Sequence, residues 1–358
     1  MTAPYSVFST FNTTRDIVTL TGNEVTTGIW TGDTGSLSAI YTSSAQIGVS
    51  GEFYYDLYNA NPNTGGSDTA EVQFAVAYGH VSGAGSPTLA TLNTSKLPTQ
   101  VIYAQYKNLL LGNSSDVFQF GPITALTSSN DIYVINFQRA RMRQALDPGN
   151  WQLSLSGSNG IQTFIDNSGL TTAVDGNLTV NNSYDVLSGS LTAGTVGSTY
   201  FGKVYPDFGI IVLNPSLISS SVGLGFKVNN AKTSTAYPFG AFTGSVTTYQ
   251  YQHEGLVRSI SASLAAGSPF IARSAEAITS VNYFVRVYNA DFNNTNNPTI
   301  LSGSSQVPLE AFRTKPVTYI TTVGLYNDQN ELLAVGKLSR PLQKSTDKEA
   351  TIRVRLDY

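Results

Sequence analysis

The sequence predicts a mainly β protein, built from antiparallel β-sandwich-type domains with a few short helices. The closing run is the clearest sign, because residues 350–358 alternate apolar and charged side chains, as a strand with two different faces does. Many other short runs of β-branched and aromatic residues are separated by Gly, Asn, Ser and Thr turn formers. Charged residues make up only 12% of the chain, about half of the roughly 25% typical of soluble domains. Polarity comes instead from hydroxyl and amide side chains, which suit extensive uncharged contacts.

Residues 1–156 are expected to form an N-terminal mainly-β domain. After several short β-type runs, two stronger strands follow at 51–58 and 70–78. The turn formers between them predict a hairpin with a long tip. A nearly continuous apolar run at 131–137 predicts a buried strand.

One helix is predicted in this domain, near residues 99–111. Thr99 can serve as its N-cap, and Gly112 stops it. Five side chains lie near one face at helical spacing: Val101, Ile102, Gln105, Tyr106 and Leu109.

The middle of the chain, residues 157–201, has a different composition. It is rich in Ser, Gly, Asn and Thr, with short apolar islands between them. This stretch is expected to form either a small β insertion or a projecting loop region.

Residues 202–358 are expected to form a C-terminal mainly-β domain. Asn214 and Pro215 are placed to cap and begin a short helix, and residues 255–266 carry apolar side chains at four-residue spacing. Three strand-like runs within residues 317–358 predict a β-meander that closes the domain.

The sequence lacks the features that several classes of protein require. There is no cysteine, the net charge is −3, and no run approaches the ~18 apolar residues of a membrane span. The N-terminus shows neither the basic region nor the long apolar region of a signal peptide. We therefore expect a soluble protein, made in a cytoplasm, with no disulfide and no nucleic-acid or membrane partner.

The residues that could carry catalysis or bind a cofactor show no recognisable spacing. His80 and His253 belong to no metal-binding motif, and the Gly-rich stretches lack the lysine of a phosphate loop. A Ser-His-Asp triad stays open, because its members can be far apart in sequence, but no Gly-x-Ser-x-Gly elbow is present. Asp166 and Asp207 are the acids beside strongly apolar runs, and a sequence does not show whether two carboxylates pair for glycoside hydrolysis. The prediction is a protein without cofactor, metal or enzymatic activity.

Six stretches, taken together and in order, resemble one family. They are residues 70–80, 102–111, 132–141, 205–215 and 293–299 and the terminal meander. As a set they resemble virion structural proteins of contractile-tailed bacteriophages, of the cyanophage-like myovirus type, and are similar to tail baseplate wedge subunits. The resemblance covers most of the chain.

The resemblance implies a non-enzymatic building block that is repeated around a six-fold axis in the tail baseplate of the virion and synthesised in the host bacterial cytoplasm. Its expected partners are other tail and baseplate proteins, and a homodimer within the six-fold assembly is one arrangement it allows. Two alternatives stay open: a fibre-anchoring or receptor-binding tail protein, and a polysaccharide-degrading tail enzyme.

Seven residues are candidates for the interfaces of such a building block. They are Asn294, Asn296, Arg139, Arg141, Arg143, Arg353 and Arg355. The two asparagines lie in a turn-rich tip at 291–298, which, like the tip at 59–66, is placed to reach a neighbouring subunit. The first three arginines are interpreted as a solvated or interfacial helix end. The last two lie on the charged face of the final strand and are a candidate docking edge.

Overall fold

The computed structural model describes residues 16–46, 53–64, 69–86, 97–111, 117–122, 124–169, 182–195, 197–224, 252–295, 297–303 and 307–357. Within these residues the chain is mainly β, with antiparallel sheets and a few short helices. The predicted fold class is confirmed.

The strands follow one another along the whole described chain. In chain order they are β1 (Ile17–Gly28), β2 (Ser36–Leu37), β3 (Tyr41–Thr42), β4 (Tyr54–Tyr58), β5 (Val72–His80), β6 (Gln119–Phe120), β7 (Thr127–Ser128), β8 (Asp131–Phe137), β9 (Ala145–Leu146), β10 (Leu153–Gly157), β11 (Gly160–Asp166), β12 (Tyr184–Ser190), β13 (Gly194–Thr195), β14 (Gly202–Tyr205), β15 (Ile210–Leu213), β16 (Phe270–Ile271), β17 (Arg273–Val287), β18 (Val317–Tyr326), β19 (Leu332–Ser345) and β20 (Ala350–Asp357).

The helices are short by comparison. The α-helices are α1 (Pro98–Leu110), α2 (Pro215–Ile218), α3 (Gln252–Ala265) and α4 (Glu310–Thr314). Single turns of 3₁₀-helix occupy Ser44–Gln46, Arg139–Arg141 and Pro298–Ile300, and a π-helical turn, Ser219–Gly223, follows α2.

The chain divides into two compact units. Unit 1 combines the chain up to Glu24 with Ala277–Tyr358, and unit 2 is Val25–Glu276. This division differs from the three consecutive segments expected from the sequence. The physical reason is that one sheet of unit 2 takes strands from all three of those segments.

Unit 2 is organised around a ten-stranded antiparallel sheet. Its strand order is β10-β11-β12-β14-β15-β8-β5-β4-β3, and β13 pairs with β12 beside this path. The predicted hairpin is present, because β4 pairs with β5 and places Leu57 opposite Phe74. Within residues 157–201, β11 and β12 lie inside the sheet between β10 and β14. Residues 170–181 and 196 lie outside the described residues, so the choice between a small β insertion and a projecting loop stays open.

Both faces of this sheet are covered, which explains the nearly continuous apolar run of β8. Tyr133, Ile135 and Phe137 belong to one buried hydrophobic cluster. Ile132 and Val134, which point to the other face, belong to a second cluster. A strand that is covered on both faces needs apolar side chains at every position instead of an alternating pattern. The prediction of a buried strand here is correct.

The larger cluster includes the buried face of α3. This helix confirms the one predicted at 255–266, although it begins earlier, at Gln252, and it buries Leu256, Val257 and Ile260. The aromatic centre of the cluster consists of Trp30, Phe74, Phe137 and Phe270, with ring centroids 5.1 to 6.3 Å apart.

Helix α1 confirms the predicted helix but not its predicted face. Tyr103 and Leu110 are buried, whereas Val101 and Leu109 are 47% and 46% exposed. Gly79 of β5 lies against the helix, since a Cβ at that position would be only 2.8 Å from the backbone nitrogen of Tyr103. Without a side chain at position 79, the helix backbone approaches the strand closely and turns the face that carries Tyr103 inward.

The two helix N-termini differ in how well the sequence predicts them. The N-cap of α1 is Leu97 and not Thr99, because Pro98 already occupies the first helical turn. Asn214 caps α2 as predicted, and its Oδ1 accepts hydrogen bonds from the second and third backbone N–H groups of the helix at 3.0 and 3.2 Å.

Unit 1 contains a small sheet and a separate hairpin. In the sheet, β17 lies between β1 and β20. β18 and β19 pair with each other in a two-stranded sheet. The predicted meander is therefore wrong in its last strand, because β20 pairs with β17 and not with β19. The pairing places Ile352 opposite Val285, and both side chains are buried.

Candidate functional site

The first notable property of unit 1 is how little apolar surface it buries. Its buried hydrophobic residues, among those the structure describes, are Val281, Val285, Val287 and Ile352. The two large buried clusters consist entirely of unit 2 residues. Every ordered residue costs conformational entropy, and buried apolar area is the main term that offsets it. In the described part of unit 1, few buried apolar side chains are thus available to offset that cost.

The second property is an exposed apolar hairpin. Five large hydrophobic side chains of β18 and β19 are exposed: Tyr319 by 61%, Tyr326 by 45%, Leu332 by 52%, Leu333 by 68% and Val335 by 58%. Tyr326 lies opposite Leu332 across the hairpin, and Val335 lies opposite Gly324. A concentration of exposed large apolar side chains on one hairpin is a candidate interaction site. We call these five residues the hairpin patch.

The base of the hairpin is fixed by a buried lysine. Lys344 is 1% exposed, and its Nζ donates to the backbone oxygen of Asn289 and to Oδ1 of Asn293, each at 2.9 Å. Thr318 Oγ1 donates to the backbone oxygen of Phe292 at 2.6 Å. These bonds attach the loop that follows β17 to both strands of the hairpin.

The tip of the hairpin is also ordered by hydrogen bonds. Asn327 Oδ1 accepts from the backbone N–H groups of Gln329 and Glu331 at 3.0 and 2.8 Å, and its Nδ2 donates to the Glu331 carboxylate at 2.7 Å. Asn330 adopts a φ of 61°, a conformation that asparagine tolerates better than most residues. The hairpin is thus held at both ends while the hairpin patch stays uncovered.

The charged face of β20 is exposed, and its role as a docking edge stays a prediction. Arg353 and Arg355 are both exposed. Arg355 Nε donates to Asp357 Oδ1 at 2.7 Å, and its Nη2 donates to Ser280 Oγ at 3.0 Å. Hydrogen bonds from Ser280 and Arg355 lower the pKa of Asp357. Arg355 therefore already has partners within the chain, and Arg353 has no ion-pair partner among the described residues.

The three arginines of the basic run lie in unit 2 and bind partners there. Arg139 Nη1 donates to the backbone oxygen of Gln144 at 3.0 Å. Arg141 pairs with the carboxylate of Glu71, and Arg143 Nη1 lies 3.1 Å from Glu276 Oε2. The hydrogen bond from Arg141 lowers the pKa of Glu71. The three side chains bind separate partners and do not form a common basic cluster; their interfacial role stays a prediction.

The two turn-rich tips differ. Asn294 is exposed, and its Oδ1 accepts from the backbone N–H of Thr295 at 2.9 Å, while Asn296 lies outside the described residues. In the earlier tip, Asn63 Nδ2 donates to the backbone oxygen of Thr42 at 2.9 Å, and its Oδ1 accepts from Ser44 N–H at 2.6 Å. The part of that tip described here is bonded back to unit 2.

Unit 2 also contains an open cleft of about 660 Å³, lined by apolar and polar residues, that sequence reasoning missed. His80, the last residue of β5, pairs in register with Asp131, the first residue of β8. Both residues stand at strand ends in the sequence, but their pairing is set by the register of two strands about fifty residues apart. Burial raises the pKa of Asp131. Among the described residues, no group of three His, Asp or Glu side chains is placed to hold a metal ion.

Comparison of the chain with models of protein families, with curated proteins and with solved structures found no match. Of the helices that the structure describes, none has the length and apolar character needed to cross a membrane.

Proposed function

We propose that this chain is a structural, non-enzymatic component of a bacteriophage contractile tail, a baseplate wedge-type protein that holds neighbouring subunits through large uncharged interfaces. The hairpin patch carries this proposal, because a fixed hairpin with five exposed large apolar side chains is suited to dock against another subunit. The phage assignment is supported by the ordered resemblance of six stretches to virion proteins of contractile tails.

The energetics favour such a role for unit 1. Leu332, Leu333 and Val335 are each more than half exposed, so covering one of them contributes the larger part of the about 1.5 to 3 kcal/mol that full burial of such a side chain gives. A stable protein interface buries about 1,600 Å² in total, which is more than the hairpin patch alone offers. The low charge of the chain lets the surrounding surface join the interface at a small desolvation cost, since hydroxyls and amides are less costly to bury than charges.

The location of the protein tests the proposal directly. Virions made from the genome that encodes this chain are purified, and an antibody raised against the full chain is used for immunogold electron microscopy. We expect label at the baseplate end of the tail in repeated copies. Particles that contain no copy of the chain would refute the proposal, and label confined to the fibres would favour the fibre-anchoring alternative.

The role of the hairpin patch is tested by changing it without touching a core. In the double variant Leu333→Asp with Val335→Asp, both changes fall on exposed positions, so the thermal transition of the isolated chain should stay nearly unchanged. Incorporation into virions should be lost. Val101→Asp is the matched control, because Val101 is 47% exposed in the first turn of α1, where an acid is tolerated. Normal incorporation of the double variant would contradict the assigned role.

A further inference from the structure

The cleft of unit 2 is lined by both apolar and polar groups, a combination typical of binding sites. It is formed by the ends of β5 and β8, the segment from β6 to β7, and the beginning of α2. Its volume of about 660 Å³ lies within the range of small-molecule sites, about 300 to 1,000 Å³. Among the described residues, the cleft is open to solvent.

One acceptor and one donor are fixed side by side at its inner end. Tyr78, which is buried, donates through Oη to Asp131 Oδ2 at 3.3 Å, and Ser129 Oγ donates to the backbone oxygen of Asp131 at 2.8 Å. His80 Nδ1 accepts from the backbone N–H of Ser82 at 3.1 Å, so the neutral ring carries its proton on Nε2. A half-buried carboxylate therefore stands next to an imidazole N–H donor.

The remaining lining defines the class of ligand. Hydroxyl and amide groups are supplied by exposed residues, among them Thr127, Asn130 and Ser216, and Tyr200 contributes a partly exposed ring. Among the described residues, no lysine or arginine lines the cleft, so an anion finds no counter-charge from them. A single carboxylate supplies too few ligands for Ca²⁺, which takes six to eight oxygen atoms.

We propose that this cleft binds a neutral, hydroxyl-rich ligand, namely one or two sugar units of a glycan. The Asp131 carboxylate accepts hydrogen bonds from neighbouring sugar hydroxyls, and the His80 Nε2–H donates to another. The ring of Tyr200 offers an apolar surface to the C–H face of the sugar. Sugar hydroxyls both donate and accept hydrogen bonds, and the lining of the cleft provides acceptors as well as donors.

The cleft is assigned binding and not cleavage. Glycoside hydrolysis requires two carboxyl groups on opposite sides of the scissile bond. Asp131 is the one carboxylate that the described part of the chain places in the lining of the cleft, which therefore supplies no second group.

Saturation-transfer difference NMR on the full chain tests the proposal. The probes are glucose, galactose and N-acetylglucosamine, with inorganic phosphate and Ca²⁺ as probes for the two excluded classes. We expect a response from at least one of the three sugars. No response from any sugar, or a response to phosphate or Ca²⁺ with none to the sugars, would overturn the proposal.

Three variants assign any sugar signal to the cleft. Asp131→Asn should weaken binding roughly 10- to 100-fold, because a charged acceptor is lost. Ser216→Phe, at an exposed position, should block the cleft without changing buried groups. This variant tests the site even if Asp131→Asn fails to fold. Asp33→Asn is the matched control, since Asp33 lies in an exposed turn with a φ of 56° that asparagine tolerates.

Sugar binding that is unchanged in both Asp131→Asn and Ser216→Phe would show that the cleft is not the binding site. An equal loss of binding in the Asp33→Asn control would refute the assignment as well. The test is independent of the assembly role, because the cleft belongs to unit 2 and the hairpin patch to unit 1.

Discussion

Replacing Asp166 by alanine is expected to destabilise unit 2 strongly. This carboxylate is 3% exposed and accepts hydrogen bonds from a turn around it. Trp151 Nε1–H donates to Oδ2 at 2.6 Å, and the backbone N–H of Gly149 donates to the same oxygen at 2.8 Å. The backbone N–H of Ser168 donates to Oδ1 at 3.0 Å. Alanine removes the acceptor of these three donors and of the Ser168 hydroxyl, which also donates to Oδ1.

The expected loss follows from these contacts. A buried donor left without an acceptor costs about 1 to 3 kcal/mol. Trp151 is fully buried, whereas the bonds from Gly149 and Ser168 are only partly buried, so water can replace part of them. We therefore expect a loss of about 3 to 5 kcal/mol in the free energy of unfolding, less than the sum of three full penalties.

Urea unfolding followed by tryptophan fluorescence measures this loss. Both tryptophans, Trp30 and Trp151, lie in unit 2, so the signal reports the unfolding of that unit. Asp166→Asn keeps one carbonyl acceptor and should give an intermediate loss. Asp207→Ala, at an exposed position, should change the free energy of unfolding by less than about 0.5 kcal/mol. An Asp166→Ala variant within about 1 kcal/mol of the unchanged chain would refute the reasoning. The expected loss would also assign a structural role to Asp166, which stood out in the sequence as one of the two acids beside strongly apolar runs.

Three further predictions concern other contacts. Gly79→Val would place its Cβ about 2.8 Å from the backbone nitrogen of Tyr103, so it should lower the free energy of unfolding by about 1 to 3 kcal/mol; an unchanged urea midpoint would contradict the close approach. Lys344→Met removes the bonds from Nζ to the Asn289 loop, so limited proteolysis with mass spectrometry should show faster cleavage there, and unchanged cleavage would argue against the anchor. Burial raises the pKa of Asp131 in the folded chain, so its protonation favours folding and that stability is lost as pH rises through the raised pKa. Asp131→Asn should therefore raise the melting temperature at pH 7, with the gain vanishing below about pH 4, and a gain that does not depend on pH would exclude this cause.

Local elements of the fold were predictable where neighbouring residues determine them. The hairpin of β4 and β5, the buried strand β8 and the cap of α2 by Asn214 all follow from patterns within short segments. The partner of β20 does not, because β17 precedes it by about sixty residues and no local pattern encodes the pairing. The face of α1 was missed for a similar reason, since a distant glycine, Gly79, decides which side chain turns inward.

The candidate site was predictable only in part. The sequence shows that residues 317–345 form two apolar strands, but not whether anything covers them, so Leu333 and Val335 have the same pattern as core residues. Only the structure shows these two side chains as 68% and 58% exposed. His80 was noticed as one of two histidines, yet its position beside Asp131 depends on the register of β5 and β8.

If the hairpin docks against another subunit as proposed, its edges are less suited to the contact than its exposed side chains. A free strand edge invites pairing with any other strand, and lysine, proline and bulges are the usual means of preventing it. β19 carries Lys337, Arg340 and Pro341, and its register against β18 shifts between Ile320 and Thr322. These features interrupt the edge, while the hairpin patch leaves apolar side chains on the surface. Because Lys344 and Asn327 already fix the base and the tip, docking would cost little further ordering entropy. Because the hairpin is rigid, it would not adapt its shape to a partner. A subunit whose surface does not match the hairpin patch would therefore gain little binding free energy from contact with it.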